Sequence, residues 1–244
     1  MTVKQYLLDK ISEGTLHMAL LDPDKQPPEV AGEIARRMKE AGTDAVMIGG
    51  STGVTSENLG KTAKAIKEYS GLPTIYFPGG PDAMSAEVDS IFFMSLMNSS
   101  DLKWVMGAQV YAAPYIKKLG IEAIPMGYIV VEPGMKVGEV GEANLVKRDD
   151  IATAVQYALG CELMGMGLVY LEAGSGADRP IPPAMIKAVK EAISVPLFVG
   201  GGISSPESAM SAKLAGADVI VTGTFVERCH DDNMLKNVIS AAKD

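Results

Sequence analysis

Residues 197–224 read LFVGGGISSPESAMSAKLAGADVIVTGT and contain the pattern that decides the fold. Two short apolar runs, at 197–199 and 219–222, are typical of strands that are covered on both faces. Between them, residues 205–215 begin with Ser-Pro and predict a helix. Strands that are joined through a helix lie parallel in one sheet, so this segment predicts a strand-helix-strand unit.

The same unit recurs along the whole chain of 244 residues. The predicted strands are 16–21, 45–48, 74–77, 90–94, 123–131, 167–171, 197–199 and 219–222. The predicted helices are 28–41, 56–70, 101–119, 150–163, 182–192, 205–215 and 231–242. This alternation predicts an α/β fold, a closed (β/α)₈ TIM barrel, as a single domain over residues 1–244. The alternative, an open doubly wound sheet, would need a glycine-rich turn where Leu21, Asp22 and Pro23 stand.

Composition and charge exclude several classes of function. The formal net charge is −8 and no Lys/Arg run occurs, which argues against nucleic-acid partners and anionic membranes. No apolar stretch is long enough to predict a transmembrane segment, and residues 1–11 lack the apolar core of a signal peptide. Cys161 and Cys229 are too few for a disulfide framework and predict the reduced thiols of a cytoplasmic protein. His17 and His230 lack metal-ligand spacing.

Glycines follow several predicted strands, at 49–50, 79–80 and 200–202. In barrels, the loops after the seventh and eighth strands frequently form a phosphate site. Four residues fall in those loops: Gly201, Gly202, Gly223 and Thr224. Because glycine has no side chain, its backbone N–H groups can approach an anion closely. The alternative is that these glycines only turn the chain, but their place on consecutive strands favours a phosphate site.

Oxygen-bearing side chains follow the first two predicted strands. Asp22 ends the first strand and Ser51 ends the second. Carboxylate and hydroxyl oxygens suit Mg²⁺, which binds few protein ligands and completes its shell with waters and phosphate oxygens. The pair therefore predicts a magnesium site. The alternative is an Asp-Pro turn in which Asp24 caps the next helix.

The sixth strand ends in a second group of candidates. Tyr170 and Glu172 lie two residues apart and therefore face the same side of the strand. Glu172 is a candidate general base with Tyr170 as its hydrogen-bonding partner, and the turn at 174–176 offers backbone N–H groups to an anion. The alternative is a structural ion pair between Glu172 and Arg179. Glu132, after the fifth strand, is a third candidate acid.

Residues 91–97 read IFFMSLM and are unusually apolar for a strand with its following loop. The same third of the barrel contains three more methionines, Met84, Met106 and Met126. Methionine fills cores but also adapts to irregular ligands, so these residues form either core or an apolar groove across strands two to five. Trp104, Tyr111 and Tyr115 lie on the helix 101–119 and either line that groove or form a subunit contact.

Five motifs occur in one order along the chain: LDPDK (21–25), IGGS (48–51), YLEAGSG (170–176), VGGGI (199–203) and TGT (222–224). Together they resemble the geranylgeranylglyceryl phosphate synthases of archaea, whose bacterial relatives are the heptaprenylglyceryl phosphate synthases. The resemblance runs from the first predicted strand to the eighth, and YLEAGSG is its most specific part. Leu20 stands where the bacterial relatives have Lys, which favours the archaeal branch.

The resemblance implies a Mg²⁺-dependent prenyltransferase that joins geranylgeranyl diphosphate to the 3-hydroxyl of sn-glycerol 1-phosphate, forming the first ether bond of archaeal membrane lipids. Asp22 and Ser51 would hold Mg²⁺ on the diphosphate, and Glu172 would take the hydroxyl proton. The implied glycerol 1-phosphate ligands are Tyr170, Leu171, Glu172, Ala173, Gly174, Ser175, Gly176, Gly201, Gly202, Gly223 and Thr224. The resemblance also implies a homo-oligomer.

Two other functions compete with this interpretation. A sugar-phosphate isomerase would use Asp22 and Glu132 as opposed acids on a polar ligand. A non-catalytic module that binds phosphate or a flavin phosphate would leave Asp22 and Glu172 without chemistry to do. The apolar run at 91–97 and the pairing of Tyr170 with Glu172 favour the prenyltransferase over both.

Overall fold

The computed structural model describes residues 1–50 and 52–243 and contains a closed barrel of eight parallel strands. Each strand forms hydrogen bonds with the next in the chain, and the last pairs with the first through Leu16–Val219 and Met18–Val221. The predicted TIM barrel is therefore confirmed.

The strands are β1 (Leu16–Leu21), β2 (Ala45–Ile48), β3 (Thr74–Tyr76), β4 (Ser90–Leu96), β5 (Glu122–Val130), β6 (Leu168–Glu172), β7 (Leu197–Gly200) and β8 (Val219–Thr222). The helices are α1 (Val3–Glu13), α2 (Pro28–Ala41), α3 (Ser56–Ser70), α4 (Ala108–Leu119), α5 (Met135–Val140), α6 (Ile151–Leu163), α7 (Pro183–Ala192), α8 (Pro206–Leu214), α9 (Thr224–Arg228) and α10 (Asp232–Lys243). A π-helical segment (Lys103–Gly107) precedes α4. Within residues 1–50 and 52–243, no helix is both long and apolar enough to cross a membrane.

Aromatic rings fill the interior of the barrel. One buried cluster takes side chains from every strand, and its largest members are Phe92, Tyr128, Tyr170 and Phe198. The centroids of the Tyr128 and Tyr170 rings are 5.2 Å apart, and those of Phe92 and Phe198 are 5.8 Å apart. The barrel is thus a packed core and not a channel, so a ligand has to bind at one of its ends.

Helix α1 covers the amino-terminal end of the strands. Its Leu7 is buried in the interior cluster, and the carboxylate of Glu122, at the start of β5, accepts the N–H groups of Val3 (2.6 Å) and Lys4 (3.1 Å). This helix was not predicted, because Leu7 is its only buried side chain and the apolar stripe is correspondingly narrow. The carboxyl ends of the strands remain for ligands.

Other departures from the predicted elements have local causes. Helices α5 and α9 span six and five residues, too short for a helical apolar period to show. Residues 101–119 were predicted as one helix, but 103–107 are π-helical. Helix α3 begins at Ser56 as predicted, and its cap is Thr55, whose hydroxyl accepts the N–H of Asn58 at 3.1 Å. Helix α2 begins after Pro27, so Asp24 is not its cap.

Candidate active site at the carboxyl ends of the strands

Two compartments open side by side above the barrel, with empty volumes of about 1080 Å³ and 1130 Å³ including their mouths. The first, called the cradle, lies between the ends of β6, β7 and β8 and contains Gly201, Gly202 and Gly223 in its wall. The second, called the groove, runs from the ends of β3 and β4 to α4 and α5. Three residues line both compartments: Leu20, Glu172 and Ser175.

The cradle gathers most of the predicted phosphate ligands. Eight of them line it: Tyr170, Glu172, Ser175, Gly176, Gly201, Gly202, Gly223 and Thr224. The hydroxyl groups of Ser175 and Thr224 are 2.8 Å apart, which ties the β6 loop to the start of α9. The side chains of Leu171 and Ala173 pack instead into the buried layer beneath the helices, so their side chains face away from the cradle.

Backbone conformation explains the glycines of the β7 loop. Gly201 and Gly202 have φ angles of +83° and +72°, a left-handed region that favours glycine. A Cβ on Gly201 would overlap Oε1 of Glu172, and a Cβ on Gly202 would lie 2.8 Å from the carbonyl carbon of Arg179. At Gly223 the nearest atom to a Cβ would be 3.6 Å away, an ordinary contact. The first two glycines are therefore required by geometry, and the third is not.

Glu172 is a buried carboxylate on the wall between the two compartments, 7% exposed. Its Oε1 accepts the N–H of Gly174 at 2.6 Å, and the phenols of Tyr170 and Tyr128 lie close enough to the carboxylate to lower its pKa. Burial raises the pKa of Glu172 above its ordinary value, and the N–H of Gly174 and the two phenols oppose the shift. The N–H of Gly174 was predicted to serve an anion; it serves Glu172 instead.

Tyr128 belongs to this site although sequence reasoning did not select it. It pairs with Tyr170 in the register of β5 and β6 and lines the groove. Burial raises the pKa of both phenols well above the ordinary value, with the negative charge of Glu172 adding to the effect. Both phenols therefore stay protonated at neutral pH and are able to donate a hydrogen bond. The inward alternation of the predicted strand 123–131 was the signal that could have found Tyr128.

Tyr170 is held in place by its neighbours. A Cβ on Gly200 would overlap its hydroxyl oxygen, so the phenol lies directly against the backbone of β7. The ring centroid of Phe77 is 5.9 Å from that of Tyr170 and 5.5 Å from that of Tyr128. Tyr170 itself is only 1% exposed, although it is one of the residues that line the cradle.

Asp22 lies at the end of β1, with 15% of its side chain exposed. Its Oδ1 accepts the N–H of Asp24 at 3.1 Å, and burial is the largest cause of the raised pKa of this carboxyl. The carboxylate lies so close to Gly50, whose backbone lines the groove, that a Cβ there would overlap it. Ser51, the other predicted metal ligand, lies outside the described residues.

The donor set around Asp22 fits Mg²⁺ and not a metal held by many side chains. Within residues 1–50 and 52–243, no group of three or more His, Cys, Asp or Glu is arranged to hold a metal ion. Mg²⁺ commonly binds one or two carboxylates and takes its other ligands from water and substrate phosphates. Asp22, a partly buried carboxylate next to Gly50 in the groove wall, matches that pattern.

The structure does not support the alternative roles considered for Glu132 and for Glu172. Oε2 of Glu132 accepts the backbone N–H of Arg148 at 3.4 Å. Glu132 is not one of the described residues that line the cradle or the groove. The guanidinium of Arg179 pairs with Asp178 at 3.8 Å, so the alternative of a Glu172–Arg179 ion pair is wrong. The structure thus gives no support to the Asp22–Glu132 pair of an isomerase.

The groove is lined largely by apolar side chains. Its walls include Phe77, Met84, Ile91, Phe93, Met94, Leu96, Trp104, Ala112, Ile116, Val137 and Val140. Much of the predicted apolar run and Trp104 are therefore groove residues, whereas Met126 belongs to the barrel interior. The side chains of Met106, Tyr111 and Tyr115 are at least half exposed, at 58%, 55% and 50%. Those three form an outer surface of the helix and not a groove wall.

The fold and this site define a (β/α)₈ barrel in which an apolar groove adjoins a glycine-rich cradle at the carboxyl ends of the strands. The chain belongs to the PcrB family, whose model matches residues 9–242. It is 48% identical over 242 residues to the geranylgeranylglyceryl phosphate synthase of Picrophilus torridus, covering 99% of this chain and 100% of that protein. The Thermococcus kodakarensis protein of the same name is 51% identical over 226 residues, covering 93% of this chain and 90% of the relative.

A solved structure agrees closely with the whole chain. It is that of (S)-3-O-geranylgeranylglyceryl phosphate synthase from Thermoplasma acidophilum in complex with its substrate sn-glycerol-1-phosphate. The TM-score is 0.96 at 44% identity, covering 100% of this chain and 99% of the other. The family resemblance inferred from the motifs is therefore confirmed.

Proposed function

We propose that this chain is a prenyltransferase that joins the geranylgeranyl group of geranylgeranyl diphosphate to the 3-hydroxyl of sn-glycerol 1-phosphate. The observation that carries the proposal is the position of Glu172, a single buried carboxylate on the wall shared by the cradle and the groove. A base at that point reaches a nucleophile in one compartment and an electrophile in the other. The names of the relatives support the same reaction.

Glycerol 1-phosphate occupies the cradle in this proposal. Its phosphate lies against the loops that contain Gly201, Gly202 and Gly223, where backbone can approach an anion closely. The 3-hydroxyl then points towards Glu172, which accepts the N–H of Gly174 and lies beside the phenols of Tyr128 and Tyr170. The Thermoplasma acidophilum relative was solved in complex with sn-glycerol-1-phosphate, which supports the identity of this substrate.

The chemical step moves one proton and exchanges one bond. Glu172 takes the proton of the 3-hydroxyl as the hydroxyl oxygen bonds to carbon one of the allylic chain. The bond from that carbon to the diphosphate breaks, and the diphosphate leaves with the electron pair. The raised pKa of Glu172 makes the carboxylate a stronger base than an exposed Glu. The proton passes to solvent when the product leaves.

The prenyl chain occupies the groove, and Asp22 lies at the diphosphate end. When bound, Mg²⁺ would supply positive charge to the leaving diphosphate, and Asp22 is the described residue that would hold it, next to Gly50. The groove walls exclude water from the allylic cation. The rings of Phe77 and Tyr128 lie near the shared wall and favour positive charge over their faces.

One assay tests the proposal. Purified protein is given Mg²⁺, a radiolabelled prenyl diphosphate and either sn-glycerol 1-phosphate or its enantiomer, sn-glycerol 3-phosphate. We expect transfer to the first enantiomer, fastest with the geranylgeranyl chain, and little or none to the second. Release of pyrophosphate without an ether product would contradict the proposal, and isomerisation of a sugar phosphate would replace it.

We also propose that the chain forms a homo-oligomer and works in the cytoplasm. Support for self-association comes from the exposed apolar face that Met106, Val110, Tyr111 and Tyr115 form around α4, because large exposed apolar patches commonly mark protein interfaces. Light scattering on the wild type and on Tyr111→Ser/Tyr115→Ser tests the point. A monomeric wild type would contradict it.

A further inference from the structure

Helix α9 connects the cradle to the loop after β1. It begins at Thr224, in the cradle wall. Near its end, the side chain of Glu227 reaches the β1–α2 loop, where Oε1 accepts the N–H of Asp22 at 2.9 Å and Oε2 accepts the ammonium of Lys25 at 2.8 Å. The Glu227 side chain is 9% exposed, so this contact is shielded from water on most sides.

The contact places a cation beside Asp22. The Lys25 ammonium lies 3.6 Å from Oδ2 of Asp22, and half of the Lys25 side chain remains exposed. A lysine ammonium is a point charge on a flexible four-carbon stem, and only a fixed partner holds it in one place. Glu227 is that partner. The ammonium is therefore held, and still accessible, beside Asp22, where the proposed function places the diphosphate.

A second carboxylate–lysine bridge, at the amino-terminal end of the barrel, has the same kind of contacts but only a structural role. There Oδ2 of Asp218 accepts the N–H of Leu197 at 2.7 Å and the ammonium of Lys190 at 2.5 Å. That bridge ties two strands together at their amino-terminal ends, away from the ring of loops that carries function in such barrels. The Glu227 bridge differs in lying within that ring and in holding its lysine next to another carboxylate.

We propose that Lys25 is a diphosphate-binding residue and that Glu227 is the positioning residue that holds it and the backbone of Asp22. The proposal rests on the proposed function, since it takes the diphosphate to lie at Asp22. A diphosphate carries more negative charge than one divalent cation offsets, and a neighbouring ammonium binds the remaining phosphate oxygens. Because Glu227 acts only through Lys25 and the loop, its loss should reproduce the loss of Lys25.

The test measures binding of inorganic pyrophosphate by calorimetry, in the presence of Mg²⁺ and without any prenyl substrate. Lys25→Ala and Glu227→Gln are each expected to weaken this binding about tenfold, the typical effect of one charge-assisted hydrogen bond. The Gln variant keeps an acceptor for the Asp22 N–H, so its loss reports on the ammonium. Affinity for sn-glycerol 1-phosphate should change less than about twofold in both variants.

The double variant separates positioning from two independent contacts. Lys25→Ala/Glu227→Gln should bind pyrophosphate about as weakly as either single variant, because both remove the same positioned ammonium. The matched control is Asp218→Asn, which should lower the unfolding temperature and leave pyrophosphate affinity unchanged. Additive losses, equal losses for both ligands, or unchanged pyrophosphate affinity would each overturn the inference. A wild type that does not bind pyrophosphate with Mg²⁺ would overturn the diphosphate site itself, and the proposed function with it.

Discussion

The cradle and the groove adjoin each other but are built from different parts of the chain. The cradle is made mainly of backbone, at turns where left-handed φ angles favour Gly201 and Gly202. The groove is made of side chains from β3, β4, α4 and α5, brought together only by the closed barrel. Backbone sites leave a mark in the sequence, because few residues other than glycine fit them. Side-chain sites leave only apolar residues, which cores also contain.

The largest effect is expected at Glu172, where the two compartments meet. Glu172→Gln keeps the shape of the side chain but cannot accept a proton, which typically lowers turnover by about 10²–10⁴-fold. Affinity for sn-glycerol 1-phosphate should change much less. Single-turnover rates measure the effect, with Glu132→Gln as the control that retains near-normal rates. If Glu132→Gln lost turnover and Glu172→Gln did not, the result would favour an isomerase that uses Asp22 and Glu132 as its acids.

Asp22→Asn should affect the diphosphate end of the groove and spare the cradle. The amide keeps an acceptor for the N–H of Asp24 but loses the charge that would hold Mg²⁺, so we expect turnover to fall about a hundredfold. The Mg²⁺ concentration for half-maximal rate should rise in the same variant. Glycerol 1-phosphate binding, measured by calorimetry, should stay near the wild-type value. Near-normal activity with an unchanged Mg²⁺ requirement would remove Asp22 from the metal site.

Two cradle glycines should respond differently to alanine. Gly202→Ala puts a side chain at a positive φ and 2.8 Å from the Arg179 backbone, a strain that costs about 1–3 kcal/mol and should weaken glycerol 1-phosphate binding about tenfold. Gly223→Ala meets only an ordinary contact with Leu20 and should bind within about twofold of wild type. Calorimetry on both variants gives the comparison. Equal losses would mean that open space at Gly223 is itself needed by the ligand.

The groove wall offers a test of chain length. Ala112 is a small, buried wall residue on α4, and Ala112→Phe should fill part of the groove. We expect kcat/KM for geranylgeranyl diphosphate to fall by up to about tenfold relative to shorter prenyl diphosphates. Ala113→Phe, on the exposed side of the same helix, is the matched control and should leave the preference unchanged. An unaltered preference in Ala112→Phe would mean that the chain takes another course.

The features that the sequence predicted correctly are those that leave a local pattern, either an apolar periodicity or a glycine at a turn. The eight strands, the cradle loops and the placement of Tyr170 beside Glu172 all follow from patterns within a few residues. It also predicted a free N–H at Gly174, and here a local pattern was misleading. The turn that exposes such groups to an anion also lets the carboxylate two residues earlier accept one of them.

Other features escaped because they depend on residues far apart in the chain. Tyr128 reaches Glu172 through the pairing of β5 with β6, and Glu227 reaches Asp22 across 205 positions through closure of the barrel. Helix α5, which contributes Val137 and Val140 to the groove wall, was not predicted for a different reason: six residues are too few to show a helical period. Contacts of this kind follow from topology and register, which no local pattern encodes.

The smallest expected effect is a change in the free energy of unfolding with pH. It tests whether burying the carboxylate of Glu172 between the two compartments lowers the stability of the folded protein. Burial raises the pKa of Glu172 in the folded protein, so the folded state holds this proton to higher pH than the unfolded chain does. Stability is therefore lost as pH rises from the unfolded pKa through the folded one, at about 1.4 kcal/mol for each unit that separates them.

Glu172→Gln has no proton to lose and escapes that penalty. The free energy of unfolding of the variant minus that of the wild type should thus grow with pH across this window and level off above it. Urea unfolding at a series of pH values measures the difference. Ala112→Phe, on the groove side alone, should show no such trend, because it alters packing and leaves the charge of Glu172 where it is. A difference that stayed flat with pH for Glu172→Gln would mean that the N–H of Gly174 and the neighbouring phenols of Tyr128 and Tyr170 fully offset the burial of the carboxylate. The base would then be held at the wall between cradle and groove without loss of stability.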